Sequence, residues 1–303
     1  MGRIAFLFSG QGAQFPGMAK EFYQSSQSVR ELFDTAEEFR PGTLLQCFEG
    51  TPEELRQTEN TQPCLYLADL AAAIAAREAG MDPDTAAGFS LGELPALAFA
   101  GAFDPLDGFR LVCERGRIMA EYAGKVKASM MAVVKLPHET VEAVCAGFDG
   151  VWPVNYNTPE QLVVSGLDEQ LKPFEERIRE KGGRCIPLAV GGGFHSPLMD
   201  GAVKEFEQVL EKYEIKTPVL QCWANCIGEP YTGNPKALLS RQINHPVRWR
   251  QTVSAMLADG VTVFIETGVG AVLTKMVQRM APEALCRSVQ TPREIELVLE
   301  ELA

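Results

Sequence analysis

The segment Ile4-Ala5-Phe6-Leu7-Phe8 places five apolar residues in a row and is stopped at once by Ser9-Gly10-Gln11-Gly12. A half-exposed strand would alternate apolar and polar residues. An unbroken run this short, closed by a glycine turn, reads as a strand buried on both faces. Such strands belong to parallel sheets covered by helices, which places the chain in the α/β class. A second short strand is expected just before Gly88. A third, Val261 to Ile265, is bounded by Gly260 and Gly268 and leads into a helical Val272 to Met280. Helical patterning fills about Gly17 to Arg40 and Leu65 to Gly80, the latter through the alanine-rich Ala68 to Ile74.

Between about Lys127 and Val190 the rhythm changes. Strands are expected over Met130 to Val134, Val151 to Asn155, Gln161 to Val164 and Cys185 to Val190. Helices are expected over Pro137 to Ala146 and Glu169 to Lys181. The order β-α-β-β-α-β is the split motif of ferredoxin-like modules. The 303 residues suit two domains, and the pattern divides them into a large α/β domain, residues 1–126 and 191–303, interrupted by a ferredoxin-like α+β insertion, residues 127–190.

Lys and Arg number 28 against 40 Asp and Glu, a net charge of −12. A polyanion is repelled by such a surface on average, so a general nucleic-acid role is disfavoured. The eight cysteines are scattered, several beside apolar residues, and read as buried free thiols. Cys222 and Cys226 lack the spacing and neighbours of a zinc site, so no metal is expected. The first apolar run is too short for a signal peptide and no stretch approaches a membrane span, so a reducing cytoplasm is the expected setting.

Gly88-Phe89-Ser90-Leu91-Gly92 matches G-x-S-x-G, the strand-to-helix elbow that presents a serine Oγ at a helix start. By itself the pattern is short, and a serine there also serves as a plain helix cap. A serine nucleophile needs a base, and three histidines are available. His138 stands beside Glu139 at an apparent helix start and reads as a solvated surface residue. His245 precedes Pro246 in a polar connection and reads as a turn. His195, in Gly191-Gly192-Gly193-Phe194-His195-Ser196-Pro197, has glycines that permit close backbone approach and is the best base of the three. On the helix from about Leu106 to Tyr122, Arg110, Glu114, Arg117 and Glu121 form one polar stripe. Arg115 lies off it, in line with Leu111 and Ile118, and so points partly inward. There it needs either an internal Asp or Glu or the carboxylate of a ligand.

Five motifs occur in order across nearly the whole chain. They are Phe8-Ser9-Gly10-Gln11-Gly12-Ala13-Gln14, Gly88 to Glu93, Arg115-Gly116 with Met119, Phe194-His195-Ser196-Pro197-Leu198-Met199, and Arg241-Gln242 with Pro246-Val247 and Trp249. Together they resemble malonyl-CoA:acyl carrier protein transacylases. The resemblance implies an α/β-hydrolase-like, patatin-like large domain, with Ser90 as the acylated nucleophile, His195 as its base and Arg115 as anchor of the malonyl carboxylate. It implies oxyanion-hole N–H groups from Gln11 and Leu91, and a Gln242 backbone carbonyl that orients His195. It also implies malonyl-CoA as substrate with no permanently bound cofactor, an acyl carrier protein as partner, and a monomer. Phe194 matches the malonyl-type pattern of related polyketide acyltransferases, and its bulk should crowd an α-methyl group.

Three positions depart from the family pattern. Phe89 stands where histidine is typical, which removes a polar neighbour from the acyl pocket. Ser9 stands where proline is common, and the late G-P-G reads Gly268-Val269-Gly270. Two other readings remain at this level. One is a patatin-like esterase using Asp200 of Asp200-Gly201-Ala202. The other is a catalytically silent carrier-binding module, for which Phe89 is the argument. Because carrier proteins are acidic too, an encounter requires a local basic rim, for which Lys125, Lys127, Arg248, Arg250, Lys275 and Arg279 are candidates.

Overall fold

A computed structural model describes residues 2–303. Its strands are β1 (Arg3–Phe8), β2 (Thr85–Gly88), β3 (Ala128–Val134), β4 (Val151–Thr158), β5 (Gln161–Leu167), β6 (Arg184–Gly191), β7 (Gln221–Ala224), β8 (Glu229–Pro230), β9 (Val261–Thr267) and β10 (Leu285–Val289). One six-stranded sheet runs β10-β9-β1-β2-β7-β8, parallel except for the short β8 at its edge. The second, antiparallel sheet runs β4-β5-β3-β6.

The unbroken apolar run of β1 has its reason in this layering. The strand lies near the middle of the parallel sheet, paired with β2 on one edge and β9 on the other. Ile4, Phe6 and Phe8 face one core, shared with the helices Thr58–Glu78 and Glu93–Phe99. Ala5 and Leu7 face another, shared with Trp249, Val253, Leu273 and Val277. Because successive side chains point to opposite faces, both kinds of position have to be apolar.

The second sheet has the β-α-β-β-α-β order expected from the sequence. In β3, Met131 and Val133 pack against the helices His138–Cys145 and Asp168–Glu180, while Met130 and Ala132 join the core of the first sheet. A backbone join fixes the two sheets together: the Tyr156 N–H donates to Val247 O at 2.9 Å and the Val247 N–H to Val154 O at 2.8 Å. That places Met130 and the strand residues Leu188 and Val190 over the carboxyl ends of the parallel strands.

Some local expectations are corrected. The helix expected over Gly17 to Arg40 is two helices, Lys20–Ser25 and Gln27–Phe39, broken at Ser26, whose extended backbone lets its Oγ accept the Val29 N–H and cap the second. His138 is not a surface residue. It is 5% exposed, its Nε2 bonds Thr158 O at 2.7 Å and its ring packs edge-on against Tyr156. Within the expected polar stripe, Arg117 pairs with Glu114 and Glu121, whereas Arg110 takes Asp107 instead. All eight cysteines are free thiols, six of them buried. No helix among the described residues is long and apolar enough to cross a membrane.

Candidate active site

Ser90 sits on a single tight turn, Ser90–Gly92, between β2 and the helix Glu93–Phe99. Its φ of 53° is left-handed, a strained choice for a residue with a Cβ. Both glycines of the G-x-S-x-G pattern are demanded by packing. A Cβ on Gly88 would lie 1.8 Å from Gly92 O, and one on Gly92 would lie 2.2 Å from Phe8 O. The turn is stapled by Asn225, at the end of β7, whose Oδ1 accepts the Ser90 N–H and whose Nδ2 donates to Gly88 O, each at 2.6 Å.

His195 also has a left-handed backbone, φ 61°, and is 3% exposed. Its Nε2 lies 2.8 Å from Ser90 Oγ, and its Nδ1 lies 2.7 Å from the backbone oxygen of Gln242. A carbonyl oxygen only accepts, so the proton belongs on Nδ1. That leaves the Nε2 lone pair facing the serine hydroxyl. Burial, followed by the nearby positive charge of Arg115, pushes the imidazole down to about 4, against the pull of the Gln242 carbonyl. The ring is therefore neutral and able to accept a proton at neutral pH.

Arg115, from the helix Pro105–Ala123, is 1% exposed and faces the same cavity. The internal acid weighed from the sequence is absent from its contacts. Nη1 donates to Gln62 Oε1 at 2.8 Å, Nη2 donates to Gln242 Oε1 at 2.7 Å, and Nε has no partner among the described residues. Burial lowers its pKa to about 10, with Glu93 opposing, so the guanidinium stays charged. Two neutral amides orient it without cancelling it.

The cavity brings together every site residue expected from the sequence except Gln242, which lies behind it and holds both His195 and Arg115. Gln11 and Leu91 line the same cavity as Ser90, and their backbone N–H groups donate to no protein acceptor among the described residues. The Ser90 N–H is already taken by Asn225. Phe89 packs edge-on against Trp249 at 5.6 Å, and Phe194, whose carbonyl accepts from Ser165 Oγ, supplies a buried wall. Asp200, weighed as a patatin-like acid, is exposed and accepts from Asn244 instead.

Sequence reasoning missed Gln62, Asn225, Glu93 and Tyr231. Glu93 is fully buried, and its carboxyl is raised to about 7 by burial against the opposing hydrogen bonds of Tyr231, Gln242 and Asn225 and the charge of Arg115. Only Glu93 carried a signal, as an acid inside an otherwise apolar helical stretch.

Comparison with known proteins gives the same direction. The chain is 36% identical over 310 residues to the malonyl CoA-acyl carrier protein transacylase of Bacillus subtilis (strain 168), an alignment covering 100% of this chain and 98% of that protein. The crystal structure of malonyl CoA-acyl carrier protein transacylase from Clostridium perfringens superposes with a TM-score of 0.95 at 32% identity, covering 99% of this chain and 97% of that one. A malonyl-transacylase solved in complex with its type II polyketide acyl-carrier protein superposes with a TM-score of 0.93 at 31% identity, covering 99% of both chains. Residues 5–293 match the acyl transferase domain. Since that match takes in both sheets together with the turn, the loop and the helix that carry the serine, the histidine and the arginine, the chain belongs to the acyl transferase domain family.

Proposed function

We propose that the chain moves a malonyl group from malonyl-CoA to the phosphopantetheine thiol of an acyl carrier protein, through an ester on Ser90. The observation that carries this is a serine–histidine contact of 2.8 Å sharing its cavity with a buried, charged arginine that no protein carboxylate neutralises. An esterase acting on neutral esters has no use for that charge. A carboxylate at the far end of a short acyl group does.

In the first half-reaction, His195 Nε2 takes the Ser90 proton as Oγ attacks the thioester carbonyl. The Gln11 and Leu91 N–H groups receive the oxyanion, and Asn225 keeps the serine's own N–H out of that role. The C–S bond breaks, the CoA thiolate takes the proton from His195, and malonyl-Ser90 remains. In the second, His195 accepts the proton of the incoming thiol, whose sulfur attacks the ester and releases Ser90 with that proton. Phe194 narrows the space for an α-methyl group, which favours malonyl over methylmalonyl. A second cavity of about 260 Å³ adjoins the first across Phe89 and Leu188 and is lined by Asn155 and Asn157, whose buried Oδ1 atoms have no partner among the described residues. Those amides suit the amide-bearing arm of a pantetheine thioester.

The test is direct. Incubation with malonyl-CoA should leave a malonyl adduct on Ser90, located by peptide mass and lost in Ser90→Ala. Free malonate with no trapped adduct and no transfer would refute the reading.

The two-part organisation supports residues 1–126 and 191–303 as one large unit, patatin-like in its serine elbow, with residues 127–190 as a ferredoxin-like insertion. Eight free thiols suit a reducing cytoplasm. For the carrier protein, Lys127, Arg248, Arg250, Lys275 and Arg279 are exposed cations, whereas Lys125 is paired with Glu121 at 2.9 Å. Lys275 and Arg279 lie on the helix whose Val272, 47% exposed, lines the second cavity. Reversing both to Glu should raise the KM for the carrier protein roughly tenfold and flatten its salt dependence. Transfer to free pantetheine should not change, and an unaltered carrier KM would place the rim elsewhere.

A further inference from the structure

Among the described residues, Gln242 is the one side chain that hydrogen-bonds both the nucleophile's segment and the carboxylate anchor. Its Oε1 accepts from Arg115 Nη2, and its Nε2 donates both to Ser90 O, at 2.6 Å, and to Glu93 Oε2, at 2.7 Å. An amide can be turned over by half a rotation, and which way it faces decides whether Arg115 meets an acceptor or another donor. Glu93 settles that choice. Its carboxylate is buried and surrounded by donors: the Tyr231 hydroxyl and, at 3.2 Å, the Asn225 N–H on Oε1, and the Gln242 amide on Oε2. A reversed Gln242 would set oxygen against the Glu93 carboxylate and Ser90 O, and nitrogen against a guanidinium.

We propose that Glu93 is a positioning residue for substrate selection. Ionised, it locks the Gln242 amide so that Oε1 aims Arg115 into the acyl cavity and Nε2 holds the Ser90 carbonyl, coupling the anchor to the nucleophile through one side chain. This rests on the malonyl-transfer reading above. Glu93 sits one amide away from Arg115, close enough to favour its charged form across the bridge and too far to pair with it. The guanidinium is thereby kept charged, aimed and free for a ligand carboxylate.

The experiment compares malonyl with acetyl transfer, each read as kcat/KM, in the wild type and in Glu93→Gln. The new amide would keep an acceptor for Tyr231 and Asn225 but present N–H groups to Gln242 Nε2. Donor against donor turns Gln242 over and deprives Arg115 of its acceptor. Malonyl kcat/KM should fall about tenfold or more, mainly through KM, with acetyl transfer far less affected. A merely structural role would lower both substrates together. A folded Glu93→Gln with an unchanged malonyl-to-acetyl ratio overturns the proposal. If that variant does not fold, Tyr231→Phe decides. It removes one donor from the carboxylate and should lower the ratio about threefold, and an unchanged ratio there also overturns it. Wild-type protein that transfers no malonyl group refutes the transfer reading and the proposal with it, whereas active wild type with insensitive variants refutes the proposal alone.

Discussion

Replacing His195 by alanine should slow formation of malonyl-Ser90 by about 10²- to 10⁴-fold while leaving malonyl-CoA binding nearly intact. The loss falls on the chemical step because the imidazole touches Ser90 Oγ and lies apart from the carboxylate anchor's own hydrogen bonds. Single-turnover acylation followed by mass measures it, and an unchanged rate would remove His195 from the base role. The pH profile of the wild type gives a second reading. The protonated ring cannot accept the serine proton, so activity is lost as pH falls through the folded pKa. With that value at about 4 rather than 6.5, the acid limb of kcat/KM for acetyl transfer, which does not use the carboxylate anchor held by ionised Glu93, should lie near pH 4. A limb centred at 6.5 would contradict the buried, arginine-flanked imidazole. The same shift has a stability consequence. Between pH 6.5 and 4 the unfolded chain binds a proton at His195 that the folded chain refuses, so this residue lowers stability as pH falls through that window. Glu93, raised from 4.5 to about 7, works in the opposite sense between those two values.

Arg115→Ala should cost malonyl transfer about 10²-fold in kcat/KM, the scale of a charge-assisted, two-pronged contact, and change acetyl transfer by less than about threefold. Equal losses on both substrates would contradict the anchor. An independent mark accompanies the change. Arg115 is the second cause, after burial, of the depressed His195 value, so its removal should move the acid limb of the profile upward. Lysine at this position would restore the charge but not the planar fork that engages Gln62 and Gln242 separately.

How much of this was readable in the residues depended on how far each contact reaches. The run Ile4 to Phe8 exposed the sheet because double-sided burial leaves a mark on every residue. The inward Arg115 followed from helical period alone. What its partners are did not, since Gln62 and Gln242 come from 53 and 127 residues away. His138 misled for the same reason: Pro137 and Glu139 describe a helix start, but the helix lies against β4, where Thr158 O and Tyr156 claim the ring. Asn225 had no local signal at all. It staples an elbow 135 residues earlier in the chain, and nothing in its neighbours reports that contact. Glu93 stood in the quoted motif with no role, because a carboxylate's meaning depends on the donors that surround it.

The pairing of β1 bears on how the protein is made. β1 ends at Phe8, and the strand that closes its second edge, β9, ends at Thr267. At about 5–20 residues per second of synthesis, roughly 10–50 s separate the two. Throughout that interval the nascent chain carries an apolar strand with at least one open edge and its Ala5–Leu7 face uncovered, a template for mispairing on crowded ribosomes. Late-emerging residues therefore act as the lock for the earliest ones, and any truncation short of β9 should yield a chain bound for aggregates or chaperones.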